Sequence, residues 1–330
     1  MCIKHNFKNK PHPAVGVVFF MKNTKITIIA GPCSVDDNNI KEIKEISEIE
    51  VRSKKGKKQR AVAGTRVVGL KSRTELDTTG HGMGMDYQVY TKNTEILLQG
   101  GGISDFEVLP SALIAKEITD KTDMIIATEI MNPIIQMPSY EGRIGPGKLL
   151  PWNPAVNQLG WQIEQTAAFA RKNEWHIGIK NGKWIGDHLH TANTEEYPGK
   201  TTMEKTWAGM VKYAVGIKQD IILIHRGVDV PGKGNFRNAP VHAIAKRVKK
   251  DANVKMFFDP SHSYGPKMRD HIVDAVTAAM KMKISEREYL YDGVLIETGT
   301  STTDTDQHIT VLELQTLARE LARFRELVAP

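Results

Sequence analysis

Ile221-Ile222-Leu223-Ile224-His225-Arg226-Gly227 is a short apolar run that ends by putting out a cation, with glycine next to it. A charge buried at a strand end is costly unless something pairs with it. An anionic ligand is one such partner and a neighbouring carboxylate is the other. The same design recurs at His176-Ile177-Gly178-Ile179-Lys180-Asn181-Gly182. Working outward, β-rich apolar runs fall near 25–31, 61–68, 123–130, 147–152, 175–180, 220–226, 254–259 and 292–297. Stretches with helical period lie between them, clearest near 109–120, 161–172, 203–216, 239–250, 269–282 and 310–327. Such alternation predicts a parallel sheet with helices outside it. Eight strands predict an α/β fold closed as a (β/α)8 TIM barrel; a doubly wound open sheet is the alternative.

In a barrel of this kind, catalytic groups sit at the carboxyl ends of the strands. The chemically informative residues fall there. Cys33 follows the first strand, Glu129 ends the third and Lys180 the fifth. Arg226 ends the sixth, His262 follows the seventh and Glu297 ends the eighth. Cys33, His262, Glu297 and one of Asp304 or Asp306 form a candidate metal set. Mixed sulfur, nitrogen and oxygen donors suit a borderline divalent ion such as Mn, Fe, Co or Zn. Taken singly, Cys33 reads as a small buried hydrophobe, His262 as a loop cap and Glu297 as an ion-pair partner. Arg66, Lys71 and Arg73, in Thr65-Arg66-Val67-Val68-Gly69-Leu70-Lys71-Ser72-Arg73-Thr74, place three cations near the end of the second strand. Arginine forks grip phosphate or carboxylate, and a lysine serves as a point charge. His188 and His190 read as ordinary loop histidines. Trp152, Trp161, Trp175 and Trp184 read as packing residues.

Composition narrows the class. The chain has 330 residues, which a single barrel with insertions accommodates. No apolar run approaches the length of a membrane span. The start, residues 1–24, reads as an arm or lead-in strand, without the cleavage site of a signal peptide; residues 25–330 read as one catalytic barrel. The two cysteines, Cys2 and Cys33, make no disulfide framework, and a reducing cytoplasm fits better. Net charge is +7, from 45 basic and 38 acidic residues. The densest basic run, Arg52 to Arg60, reads as a solvated loop before a strand. It carries no aromatic residue of the kind that stacks on nucleic-acid bases. A moderate positive balance also suits an enzyme that gathers anionic substrates.

Read together and in order, AGPCSV, RVVGLKSRT, GIKNG, ILIHRG, DPSH and LIETG resemble the motifs of the 3-deoxy-D-arabino-heptulosonate 7-phosphate (DAHP) synthases, over about residues 28–310. The resemblance implies a metal-dependent (β/α)8 barrel that condenses phosphoenolpyruvate with erythrose 4-phosphate, the first step of the shikimate pathway leading to aromatic amino acids. It implies Cys33, His262, Glu297 and Asp304 or Asp306 as metal ligands. Arg66, Lys71, Lys180 and Arg226 would hold phosphoenolpyruvate, with Lys71 also assisting at the aldehyde oxygen. Arg73 and Thr74 would receive the second phosphate, with Glu129 at the same mouth. Cys33, Lys71 and His262 would be the catalytic residues, and a homo-oligomer is implied too. An eight- or nine-carbon ulosonic acid synthase, or a barrel that binds metal and anion without catalysis, are the competing readings.

Four departures bear on the acceptor. Ser72 stands where the family has proline and Glu75 where it often has a hydroxyl residue. Asn153-Pro154-Ala155-Val156-Asn157-Gln158 replaces a segment whose arginine grips phosphate, so Arg143 or Lys148 are the candidate substitutes. The gap from Glu297 to the aspartates is also shorter than usual. The arm is too short for the separate regulatory domain of some relatives, so the sequence does not predict feedback inhibition.

Overall fold

Residues 23–71, 83–185, 201–301 and 306–330 are described in the computed structural model. The eight expected strands are all present. They are β1 (Lys25–Gly31), β2 (Gly64–Arg66), β3 (Ile125–Glu129), β4 (Leu149–Trp152), β5 (Ile177–Lys180), β6 (Ile221–His225), β7 (Lys255–Phe258) and β8 (Gly293–Glu297). Every neighbouring pair is parallel, in sequence order. β1 and β8 pair from Thr27↔Gly293 to Gly31↔Glu297, and this closes the sheet. The open-sheet alternative is thereby excluded.

Closure explains why the strands read as nearly unbroken apolar runs, since both faces are covered. Ile29, Val68, Ala127, Leu150, Trp152, Ile222, Ile224, Phe257 and Leu295 fill the barrel interior. Their alternate neighbours, such as Ile28, Ala30 and Leu223, pack outward on the helices. The helices are α1 (Ile40–Ser47), α2 (Tyr87–Leu98), α3 (Pro110–Thr122), α4 (Gly160–Asn173), α5 (Thr202–Met210), α6 (His242–Ala252), α7 (Ile272–Lys281) and α8 (Val311–Phe324). α3, α4 and α6 end on left-handed residues, Asp123, Glu174 and Asn253, which turn the chain at once into β3, β5 and β7. Between β3 and β4 there is only the short helix Pro133–Gln136 and a 3-10 turn. Among the described residues, no helix is long and apolar enough to cross a membrane.

Several boundaries differ from expectation. β2 is shorter than 61–68, but Val67 still donates its N–H to Ala127 O, so the chain stays extended. The expected helix 310–327 stops at Phe324, because Glu326–Leu327 forms a short strand paired with Lys25 and Ile26. The helix expected over 203–216 becomes a 3-10 turn at Val211–Ala214.

The seam tolerates no side chain at Gly293. A Cβ there would lie 2.5 Å from Thr27 O and 2.8 Å from the Phe257 ring. Gly293→Ala is expected to lower stability by about 1–3 kcal/mol, as overpacking of a tight core does, and urea unfolding will measure it.

Candidate active site

Arg66, the last residue of β2, is fully buried and spans the closing seam. Its Nε donates to Pro32 O at 3.1 Å, and its Nη2 donates to Cys33 O at 3.4 Å and to Glu297 Oε1 at 3.1 Å. The turn after β1 is thus held to the end of β8 by one guanidinium. Lys71 reaches the same turn, its Nζ donating to Cys33 Sγ at 2.7 Å. Burial alone would push the Lys71 ammonium down, but Cys33, Glu129 and Glu297 raise it above the ordinary lysine range. Lys71 is therefore a fixed positive charge rather than a ready proton donor.

The next pair of cations is compensated less well. Lys180 ends β5 with its Nζ 3.3 Å from Asp259 Oδ2. Burial depresses it, as do Arg66 and Arg226, against the pull of Asp259 and Glu129. Arg226 follows β6 at once, one residue past the strand in which it was expected. Burial brings its guanidinium down to about 10, despite Asp259, with Arg237 adding like charge. At neutral pH it is still a cation. Its Nε and Nη1, and Nη1 of Arg66, are buried without a hydrogen-bond partner among the described residues. Trp152, at the end of β4, lies under both Arg66 and Lys180, with ring centroid distances of 5.4 and 5.2 Å. An aromatic face stabilises such cations without neutralising them.

Local sequence explains how these cations are held. Gly227, next to Arg226, has φ +78°, and a Cβ there would meet Asn238 O at 2.4 Å. Only glycine makes this turn without strain. Asn181 Oδ1 accepts the Arg226 N–H at 2.7 Å, while its Nδ2 donates to Gly227 O at 2.9 Å. Asn153, just past β4, braces Lys180 in the same way. Its Oδ1 accepts the Lys180 N–H at 2.9 Å and its Nδ2 donates to Lys180 O at 3.3 Å. The segment without its expected arginine thus positions a lysine from the neighbouring strand. Lys148, one of the two suggested substitutes, does not fill the arginine's place at the mouth. Lys148 precedes β4, at the opposite end of the barrel, and pairs with Asp123 at 2.6 Å. Arg143 donates to Ser139 O at 3.2 Å.

His262 and Glu297 form the other half of the site. Asp259 caps the five-residue helix Pro260–Tyr264, accepting the His262 N–H at 3.1 Å. The same carboxylate lies 3.0 Å from His262 Nδ1. This leaves Nε2 facing Glu297 Oε1 at 3.7 Å. Burial lowers the His262 pKa against Asp259 and Glu297, so the ring is neutral. Burial would raise the Glu297 carboxyl, but His262, Arg66, His308 and Lys71 hold it at about 2. Glu297 Oε2 also accepts from Gln307 Nε2 at 2.6 Å, and the Cys33 N–H donates to His308 Nε2 at 3.0 Å.

This chemistry fits a divalent metal. A neutral imidazole oriented by a second carboxylate, beside an ionised carboxylate, is the usual way proteins prepare ligands. The Cys33 thiol, through Lys71 and Arg66, belongs to the same electrostatic cluster. Among the described residues, no three His, Cys, Asp or Glu side chains are close enough to make a metal site as they stand. Asp306 is exposed, and Asp304 lies outside the described residues, as do Arg73, Thr74, Ser72, Glu75, His188 and His190.

Cys33, Arg66, Lys71, Glu129, Lys180, Arg226, His262 and Glu297 all lie at or just after the carboxyl ends of strands. All but His262, which is only slightly exposed, are buried. Asp259, Asn153, Asn181, Gln307 and His308 were not foreseen. Asp259 had a legible signal, because aspartate before proline is a helix-capping pattern. The amides had none. Of the tryptophans, Trp152 and Trp175 are packing residues as expected, but Trp161 and Trp184 are 54% and 57% exposed.

Behind β6, away from the mouth, His225 Nδ1 and His242 Nδ1 both lie 2.7 Å from the Tyr291 hydroxyl. Burial pushes His242 down to about 4, and pushes His225 well below its usual range. These rings fold neutral, so their contribution to stability is complete above the unfolded pKa of 6.5 and is lost as pH falls toward 4. His242 alone is expected to contribute about 3 kcal/mol of that loss. Urea unfolding of His242→Gln between pH 7 and 4 will show a flatter pH dependence than the parent.

No protein-family model and no curated protein matches the chain. Solved structures do. One is the phospho-2-dehydro-3-deoxyheptonate aldolase (DAHP synthase) of Thermotoga maritima, with a TM-score of 0.63 and 17% identity over 93% of this chain and 72% of that one. Another is a truncated form of 3-deoxy-D-arabino-heptulosonate 7-phosphate synthase from the same organism. It has a TM-score of 0.59 and 18% identity over 93% of this chain and 91% of that one. At this identity the likeness establishes a shared fold.

Proposed function

We propose that this chain is a divergent DAHP synthase, condensing phosphoenolpyruvate with erythrose 4-phosphate and water to give DAHP and phosphate. The carrying observation is Arg226, a buried guanidinium with unpartnered Nε and Nη1 beside Lys180, at the same mouth as the His262–Glu297 pair. An anion that accepts from Arg226 completes hydrogen bonding the chain leaves undone. Phosphoenolpyruvate, with a phosphate and a carboxylate, has acceptors for Arg226, Lys180 and Nη1 of Arg66 together.

Fixing both reactants removes much of the entropic barrier to carbon–carbon bond formation. C3 of the enol attacks the aldehyde carbon, and the developing alkoxide gains charge. Lys71, held as a permanent ammonium, stabilises that charge. Water then adds at C2 and phosphate leaves, drawn off toward Arg226 and Lys180. Cys33, His262 and Glu297 would hold a divalent metal, with an aspartate of 304–306 completing the set; when bound, it supplies Lewis-acid polarisation of the aldehyde carbonyl. Asn153 acts through Lys180, as a positioning residue.

The test measures phosphate release and phosphoenolpyruvate loss with added Mn2+, with and without erythrose 4-phosphate, and with a chelator control. Metal-dependent turnover only with erythrose 4-phosphate is the expected result. Turnover only with another aldehyde would make the protein a sister synthase. No turnover with any aldehyde, despite bound Mn2+, would leave a non-catalytic barrel.

A further inference from the structure

The basic run absorbed by none of this chemistry forms one wall of a cavity. The antiparallel hairpin Glu50–Arg52 and Lys58–Arg60 follows α1, directly before β2. It packs on α8, whose last turn leads into the short strand beside Lys25 and Ile26. Hairpin and helix end therefore meet at the amino-terminal face of the barrel, opposite the mouth. Between them lies a cavity of about 760 Å³. Val51 and Ala322 are buried at its floor. The hairpin contributes Arg52, Lys54 and Lys58, and α8 contributes Arg319 and Arg323, one turn apart.

Five cations lining one cavity, with Glu50 as the only lining acid, form an unusual arrangement. Glu50 is already paired with Lys58. Four positive charges are left, facing each other across the cavity. Arg319, Arg323 and Lys54 have no acidic partner among the described residues. Like charges on two walls repel unless an anion sits between them. Two arginines one helical turn apart present forks to several phosphate oxygens at once, which a single carboxylate does not use. No aromatic side chain lines the cavity for bases to stack on, which disfavours nucleic acid.

We infer that the cavity between the 50–60 hairpin and α8 is a second anion site, separate from the barrel mouth, that takes a small oligophosphate group. Its four uncompensated charges match a triphosphate at neutral pH.

The test is calorimetric titration of the full chain with inorganic tripolyphosphate. Arg319→Ala/Arg323→Ala is expected to weaken binding at least tenfold, since two charge-assisted hydrogen-bonding groups are lost. Both side chains are exposed, so circular dichroism is expected to be unchanged. Glu50→Gln frees Lys58 and is expected to tighten binding, a gain that a damaged fold does not mimic. Arg226→Met at the mouth is expected to retain this binding. Equal affinity in the Arg319/Arg323 variant, or binding abolished by Arg226→Met alone, would overturn the assignment. Binding of a 12-base-pair duplex in place of tripolyphosphate would overturn it too. The readout is independent of turnover, so failure here leaves the synthase reading intact.

Discussion

Arg226→Met is expected to melt at the same temperature as the parent or higher, while kcat/KM for phosphoenolpyruvate falls by about 10³ or more. The two effects have one cause. Arg226 is buried with its Nε and Nη1 unpartnered, and burial has already brought its pKa down to about 10. Removing a buried donor that lacks a partner relieves about 1–3 kcal/mol of desolvation cost in the folded chain. Removing a charge-assisted contact to a buried substrate anion costs about 2–5 kcal/mol of binding, or more. Phosphate-release kinetics and a thermal melt on the same preparation separate the two. A melting temperature lowered by several degrees would show that the guanidinium is structural and would sink its assignment to the substrate.

Asp259→Asn is expected to do the reverse, harming the fold first. This carboxylate counters Lys180 at 3.3 Å, orients His262 at 3.0 Å and caps the short helix. Burial would raise its pKa, but His262, Lys180 and Arg66 hold it well below the ordinary 3.8. Its contribution is therefore complete above pH ~4 and fades only as pH falls below that value. The amide keeps the cap but takes from the buried Lys180 its nearest counter-charge, at a cost of about 3–5 kcal/mol. With the imidazole no longer held by a charge, Mn2+ affinity is expected to fall about 10–100-fold. Urea unfolding at pH 7 measures the first effect and Mn2+ titration the second. Unchanged stability would show that Lys180 is balanced by another group.

How far the sequence discloses the site depends on which kinds of signal it carries. Apolar runs that end in a charge mark strand ends reliably, because only an enclosed sheet makes such runs necessary. That pattern put Lys180, Arg226 and Glu297 at strand ends, and the apolar runs themselves marked all eight strands. Helices with a weak or short apolar stripe escape it. α1 has only Ile40, Ile43 and Ile46 on its apolar face, and α2 mixes polar residues with a single buried one, Asn93. Boundaries shifted where tertiary pairing overrode local period, as at Phe324. The supporting residues were illegible for a different reason. Asn153 and Asn181 act through backbone groups of neighbouring strands, and no local pattern distinguishes such an asparagine from one in a loop. Trp161 and Trp184 show the opposite limit, since residue type alone overstated their burial.

The seam joining the first strand to the last also sets an order of events in the cell. Arg66 leaves the ribosome 231 residues ahead of Glu297, and Cys33 275 residues ahead of His308, the side chains they contact. Contacts of such sequence separation form late. A nascent chain that stops short of Glu297 therefore carries an unassembled mouth. The mouth closes only once Glu297 and His308 have been made, and a product ending before Gly293 would lack the barrel's last stave and the carboxylate that Arg66 holds.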